Sequence, residues 1–202
     1  MHRLIEQHPL QRGAHPSRDD GMCAMEMVAW LAGEAHSDEP ECACPVMAAL
    51  VRACNDAMTD HARNVHLRPL VPLLVNSRRT AAVERARGLV AIDGMVRTLL
   101  PSWLARHGRH EEATLLRELA PIERLEDVRT AQRAIATFAR DQRAARWVLD
   151  RALEGVPAPR YVAGVVQVAR ALNDGASWAE MATLAERMVA ARVGVGPSFA
   201  FE

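Results

Sequence analysis

Apolar residues recur at three- and four-residue spacing along most of this 202-residue chain, and no stretch alternates convincingly with the two-residue period of a half-buried strand. That pattern commits the chain to helices. Scarce aromatics and abundant Ala and Leu point the same way, because strands favour β-branched and aromatic residues. The expected fold class is all-α: a single-domain bundle of about seven or eight helices, with a Pro- and Cys-containing loop after the first.

Breakers divide the pattern. Residues 1–19 are polar and interrupted by Pro9, Gly13 and Pro16, and read as a flexible N-terminal arm. Residues 20–193 form the helical domain, and 194–202 a C-terminal tail. Asp20 is the expected cap of a first helix from Met22 to Ala32, which Gly33 ends. A loop follows, broken by Pro40, until Pro45 opens the second helix in its first turn, where a missing N–H costs nothing. Met47, Leu50, Val51, Cys54 and Met58 share one face of that helix. The helical pattern continues with interruptions at Pro69 and Pro72, then runs from Thr80 to Leu100 until Pro101 stops it. A short helix covers Arg109 to Leu119. The stretch "RLEDVRTAQRAIATFARDQRAARWVLDRALEG" reads as one long helix, with Val128, Ala131, Ile135, Phe138, Ala145, Val148 and Leu149 as its buried stripe. Two helices close the domain, the last with Ser177 as N-cap and Glu180 in the capping-box position.

Charge narrows the partners. The 25 acids balance 25 bases, so no global field draws nucleic acid or an anionic membrane. Every base is Arg, which excludes Schiff-base lysine chemistry. The N-terminus lacks the apolar core of a signal peptide and nothing later resembles a membrane span, so a cytoplasmic location is expected. Without a glycine-rich phosphate loop, an H-E-x-x-H or a nucleophile elbow, the common nucleotide, zinc-protease and α/β-hydrolase readings are weak.

The chemistry-bearing side chains gather early. All four cysteines lie between residues 21 and 56. Cys42, Cys44, His36 and Cys23 are the set to test for a divalent metal, although the paired C-x-x-C knuckles of a zinc site are missing. The alternative is free thiols, with Cys54 serving as a small hydrophobe. Glu26 is the only charge in "MCAMEMVAWLAG", and a carboxylate on an all-apolar helix must be paired, hydrogen-bonded or protonated. It is therefore either a catalytic acid or base or half of a structural pair with Arg52 or Arg97. Asp93 is isolated in the same way in "GLVAIDGMVRTLL", with Arg97 one turn on. Glu26 and Asp93 are the candidate catalytic pair, facing a shared pocket. Glu34, His36, Ser37, Asp38, Asp56 and Arg97 are the candidate ligand-binding residues. Asp56 and Asp60, with His61 and His66 near, read either as oxygen ligands for a cation or as exposed surface acids. Arg78, Arg79, Arg85 and Arg87 cluster at a helix start, as an anion site or as solvated surface.

The stretches "CAMEMVAWLAGEAHSDEPECACPV", "RACND" and "RGLVAIDGMVRTLLPSWL" resemble an uncharacterised family of helical proteins of actinobacteria, other GC-rich bacteria and their phages. Cys23, Glu26, Gly33, Glu34, Ser37, Asp38, Pro40, Cys42, Pro45, Asn55, Asp56 and Asp93 match its pattern, over about residues 21–104. The resemblance implies no activity, only that this half of the chain holds a site. Two functions follow as expectations. One is small-molecule or metal binding, with the site formed by the 33–45 loop and acids on neighbouring helices. The other is a non-enzymatic helical adaptor, phage- or host-associated, with the long helix 125–154 as its interface. Phe199 and Phe201 in a glycine-tethered tail add the expectation of a homodimer.

Overall fold

In the computed structural model, which describes residues 5, 7–138, 143–172 and 175–191, the first helix begins at Cys23 and not at Asp20. The Cys23 thiol accepts from the Glu26 N–H at 3.4 Å, while Glu26 accepts from the Cys23 N–H at 2.7 Å, a reciprocal capping box. Asp20 instead closes a 3-10 turn, Arg18–Asp20, and accepts the Ser17 hydroxyl; Gly21, at φ 128°, separates that turn from the helix. Helix α1 (Ala24–Ala32) ends on left-handed Gly33, as expected.

Pro45 opens α2 (Pro45–Ala57) in its first turn. Residues 60–74 then run through a π turn, Arg63–Leu67, a 3-10 turn, Arg68–Leu70, and a one-turn helix, Val71–Leu74, as the chain accommodates Pro69 and Pro72. Thr80 caps α3 (Ala81–Gly94) by accepting from the Val83 N–H. The expected stop at Pro101 does not occur. A π turn, Met95–Leu99, carries the helix onward into α4 (Leu100–Arg106). The Leu100 N–H reaches back five residues to the Met95 carbonyl, and this wider turn lets the next residue be a proline without leaving a narrow turn broken.

Helix α5 spans His110–Glu118. The expected long helix over 125–154 is two helices, α6 (Leu125–Phe138) and α7 (Arg143–Leu153), which pack on each other. Gln132 donates to Asp150 across them at 2.6 Å. Burial explains the fold-back: Val128, Ala131 and Ile135 on one, and Ala145, Val148 and Leu149 on the other, all enter the core. The Phe138 side chain lies outside the described residues. Helices α8 (Ala158–Leu172) and α9 (Gly175–Ala190) complete the domain. Ser177, expected as a cap, sits buried inside α9.

Helix α8 is the hub, packed on α2, α3 and α7, while α9 closes against α3. The buried apolar residues form one cluster, so the chain is a single all-α domain with nine helices of seven residues or longer among the described residues. Gly94 sets the α3–α9 approach, because a Cβ there would collide with the Leu184 methyls. No helix among the described residues is long and apolar enough to cross a membrane.

Residues 7–21 are not a free arm. Leu10 is buried, its N–H donates to Asn64 Oδ1 at 2.8 Å, and its carbonyl accepts from Asn64 Nδ2. Gln11 pairs with the Met22 carbonyl and accepts from Asn55, and the Gly13 N–H donates to Asp56. The side chains of Asn55, Asp56 and Asn64, with the Met22 carbonyl, thus replace a strand partner for an extended segment.

Candidate functional site

Glu26 is 1% exposed and gathers that segment inward. Its Oε1 accepts the His15 backbone N–H at 2.6 Å, and its Oε2 accepts His15 Nδ1 at 2.8 Å. His36 Nε2 lies 3.5 Å from Oε1 and donates to the His15 carbonyl at 3.0 Å. Burial alone pushes the carboxyl upward, but the N–H groups of His15 and Cys23 and the imidazole outweigh it, and its pKa falls below the usual range. Glu26 is therefore ionised near neutrality. The expected arginine partners are elsewhere: Arg52 donates to the Asp38 carbonyl and pairs with Glu39, and Arg97 pairs with Asp93. Histidines take their place.

The 33–45 loop is folded on itself. Glu34 accepts the N–H groups of Glu41 and Cys42 at 2.7 and 2.8 Å, and the Ser37 hydroxyl accepts from Glu39. Arg78 holds the loop from outside through the carbonyls of Glu41 and Cys42, and the Cys44 N–H donates to Ser77. All four cysteines are free thiols. Burial pushes Cys23 and Cys54 up to about 12 and raises Cys42 as well, so these are not activated nucleophiles. Among the described residues no group of three or more His, Cys, Asp and Glu side chains is arranged to hold a metal ion, and the expected set Cys42, Cys44, His36 and Cys23 is not assembled as one. Asp56 and Asp60 also go separate ways, Asp56 to the Gly13 N–H and Asp60 to Arg63.

Asp93 has a different setting. It accepts from Arg97 at 3.1 Å, from Arg187 on α9 at 2.7 Å and from the Ile122 N–H at 3.2 Å. Burial works against its charge, but Arg187, Ile122 and Arg97 together hold its pKa below the usual carboxylate range. Among the described residues it shares no hydrogen-bond partner with Glu26, the other acid of the expected pair.

Beside the Asp93–Arg187 pair is a cleft of about 220 Å³. The π turn forms one wall with Thr98 and Leu99, next to Gly94. Helix α9 forms the other with Ala179, Thr183 and Leu184, and Arg187 and Glu180 stand at positions two turns apart. Glu180 lies 3.6 Å from Arg106, and among the described residues neither its buried Oε2 nor the buried Arg97 Nε has a hydrogen-bond partner. Buried polar atoms without partners are uncommon in native folds and call for an explanation.

Sequence reasoning reached Asp93 and Arg97 but missed His15 and Arg187. Nothing near His15 marks it, since it sits among turn residues. Arg187 had a signal: with Glu180 and Thr183 it falls on one face of the last helix. Arg87, expected as part of an anion site or of solvated surface, is neither, and Arg63 carried no expectation. Both are buried and hold free carbonyls, Arg63 those of Asn55 and Met58, Arg87 those of Met188 and Ser77. No family model, curated protein or solved structure matches the chain.

Proposed function

We propose that this chain is a small-molecule-binding helical protein whose site is the cleft between the π turn and α9, displaced from the 33–45 loop expected to hold it. One observation carries the reading: an apolar cleft holds a guanidinium fixed by a buried carboxylate, beside a buried Glu180 oxygen that no described residue satisfies. A π turn borders it, and such turns cluster at functional sites because they interrupt a better hydrogen-bonded helix. The resemblance over residues 21–104 is carried in this reading, since its last stretch supplies that wall. The reading assigns the cleft binding alone, since the oxygens of Glu26 and Asp93 are already occupied by several donors each. Ligand-observed NMR with a panel of small metabolites tests it. A binder is expected, and Ala179→Leu, which fills the cleft, removes it; an empty panel, or binders indifferent to Ala179→Leu, rejects the reading.

The adaptor reading keeps one observation of its own. Trp147, 46% exposed, borders an open groove of about 360 Å³ over Ala144, Ala163 and Gly164. If this groove is the contact of a homodimer, Trp147→Glu yields a monomer in sedimentation. A wild-type chain that is already monomeric rejects it. Phe199 and Phe201, on which that dimer was first expected, lie outside the described residues.

A further inference from the structure

We propose that the cleft takes a small carboxylic acid, its carboxylate held by Arg187, a short apolar stem along Leu99 and Leu184, and a hydrogen-bond donor at its far end meeting Glu180. This rests on the cleft being a binding site and adds the class of ligand.

Three features argue for the carboxylate. Arg187 is the only cation lining the cleft among the described residues; it is 46% exposed, and among the described residues its bond is from Nη2 to Asp93. That one bond fixes the guanidinium, so a second carboxylate meets a pre-oriented fork at little further entropic cost. The formal charges around the cleft also favour an anion: Arg97, Arg106 and Arg187 outnumber Asp93 and Glu180 by one. The stem follows from the walls, which are Leu99, Leu184 and Ala179 with Gly94 between. A volume of about 220 Å³ holds about seven waters at ~30 Å³ each, which suits a chain of a few carbons. The far end follows from Glu180. It lies seven residues from Arg187, about 10 Å along the helix at ~1.5 Å per residue, and it is the one carboxylate lining the cleft among the described residues, an acceptor for a donor on the ligand. Anion and donor therefore belong at opposite ends of the ligand.

Calorimetric titration at neutral pH with 6-hydroxyhexanoate, 6-aminohexanoate, hexanoate, hexan-1-ol and hexylamine tests the assignment. Hexanoate should bind about tenfold tighter than the alcohol or the amine, the size of one charge-assisted hydrogen bond. The two acids with a terminal donor should bind tighter still. Glu180→Ala should remove that extra affinity, so that the three acids bind alike. Arg187→Gln should weaken all three acids. Because Arg187 also serves buried Asp93, Arg187→Lys, which keeps the charge and loses the fork, is titrated beside it with circular dichroism on both. Hexan-1-ol or hexylamine binding as tightly as hexanoate overturns the proposal, as does a terminal-donor preference that survives Glu180→Ala. If all five probes fail while a panel ligand is still lost in Ala179→Leu, the ligand class is wrong and the cleft stands. If no ligand responds to Ala179→Leu, both fall.

Discussion

Glu26 earns its burial through three hydrogen bonds, from the N–H groups of His15 and Cys23 and from His15 Nδ1. Glu26→Gln puts an NH₂ against one of these donors and leaves it unsatisfied, a loss of about 1–3 kcal/mol, more for a charged partner. The pH dependence has a definite sign. The folded pKa lies below the ordinary 4.5, so the carboxylate's contribution is full above that value and disappears as pH falls through the folded pKa. Urea unfolding of wild type and Glu26→Gln should therefore give curves far apart at pH 7 that converge on acidification. A gap independent of pH means the loss is one of shape and not of charge. The isolation of Glu26 was legible in the sequence, because it depends on neighbours along one helix. Its partners were not, because His15 arrives from a segment whose composition gives no hint of where it lies.

At the scale of elements, the contact between α3 and α9 depends on a missing side chain. Gly94 faces Leu184, and a Cβ at 94 would enter the space of its methyls. Gly94→Ala should cost about 1–3 kcal/mol, the usual range for overpacking. Leu184→Ala also destabilises, by opening a cavity. Combined, they should lose less than the sum, since each makes room for or fills the other's defect; chemical denaturation of the four proteins measures the coupling. Strict additivity would falsify the close approach. Helix existence was legible here because periodicity is a local property, and nearly every expected helix is present. The exceptions share a cause. Pro101 was read as a stop, and residues 125–154 as one helix, because a π turn and a fold-back leave the three- and four-residue spacing on either side intact.

At the scale of the whole molecule, the N-terminal segment acts as a clasp across α1, α2 and the π turn at 63–67. Asn55 reaches both Ala24 and Gln11, Asn64 makes two bonds to Leu10, Asp56 takes Gly13, and His36 takes the His15 carbonyl. Residues 8–17 have no helix or strand of their own to protect their amides, so protection comes from these side chains and, for the Gln11 N–H, from the Met22 carbonyl. Hydrogen exchange should find the amides of Leu10, Gln11, Gly13 and His15 slowed well beyond a free peptide. Asn64→Ala should release Leu10 first, because it removes both of that residue's bonds, while His15 remains protected by Glu26. Deleting residues 1–21 strips partners from Glu26, Asn55 and Asn64 together. At about 2–4 °C per kcal/mol for a chain of this size, losing several such bonds should lower the melting temperature by about 10 °C or more. A deletion that melts with the full chain, or exchange at 10–15 as fast as in the free peptide, would show the clasp open in solution. It would also return Glu26 to the unpaired state that its burial makes costly.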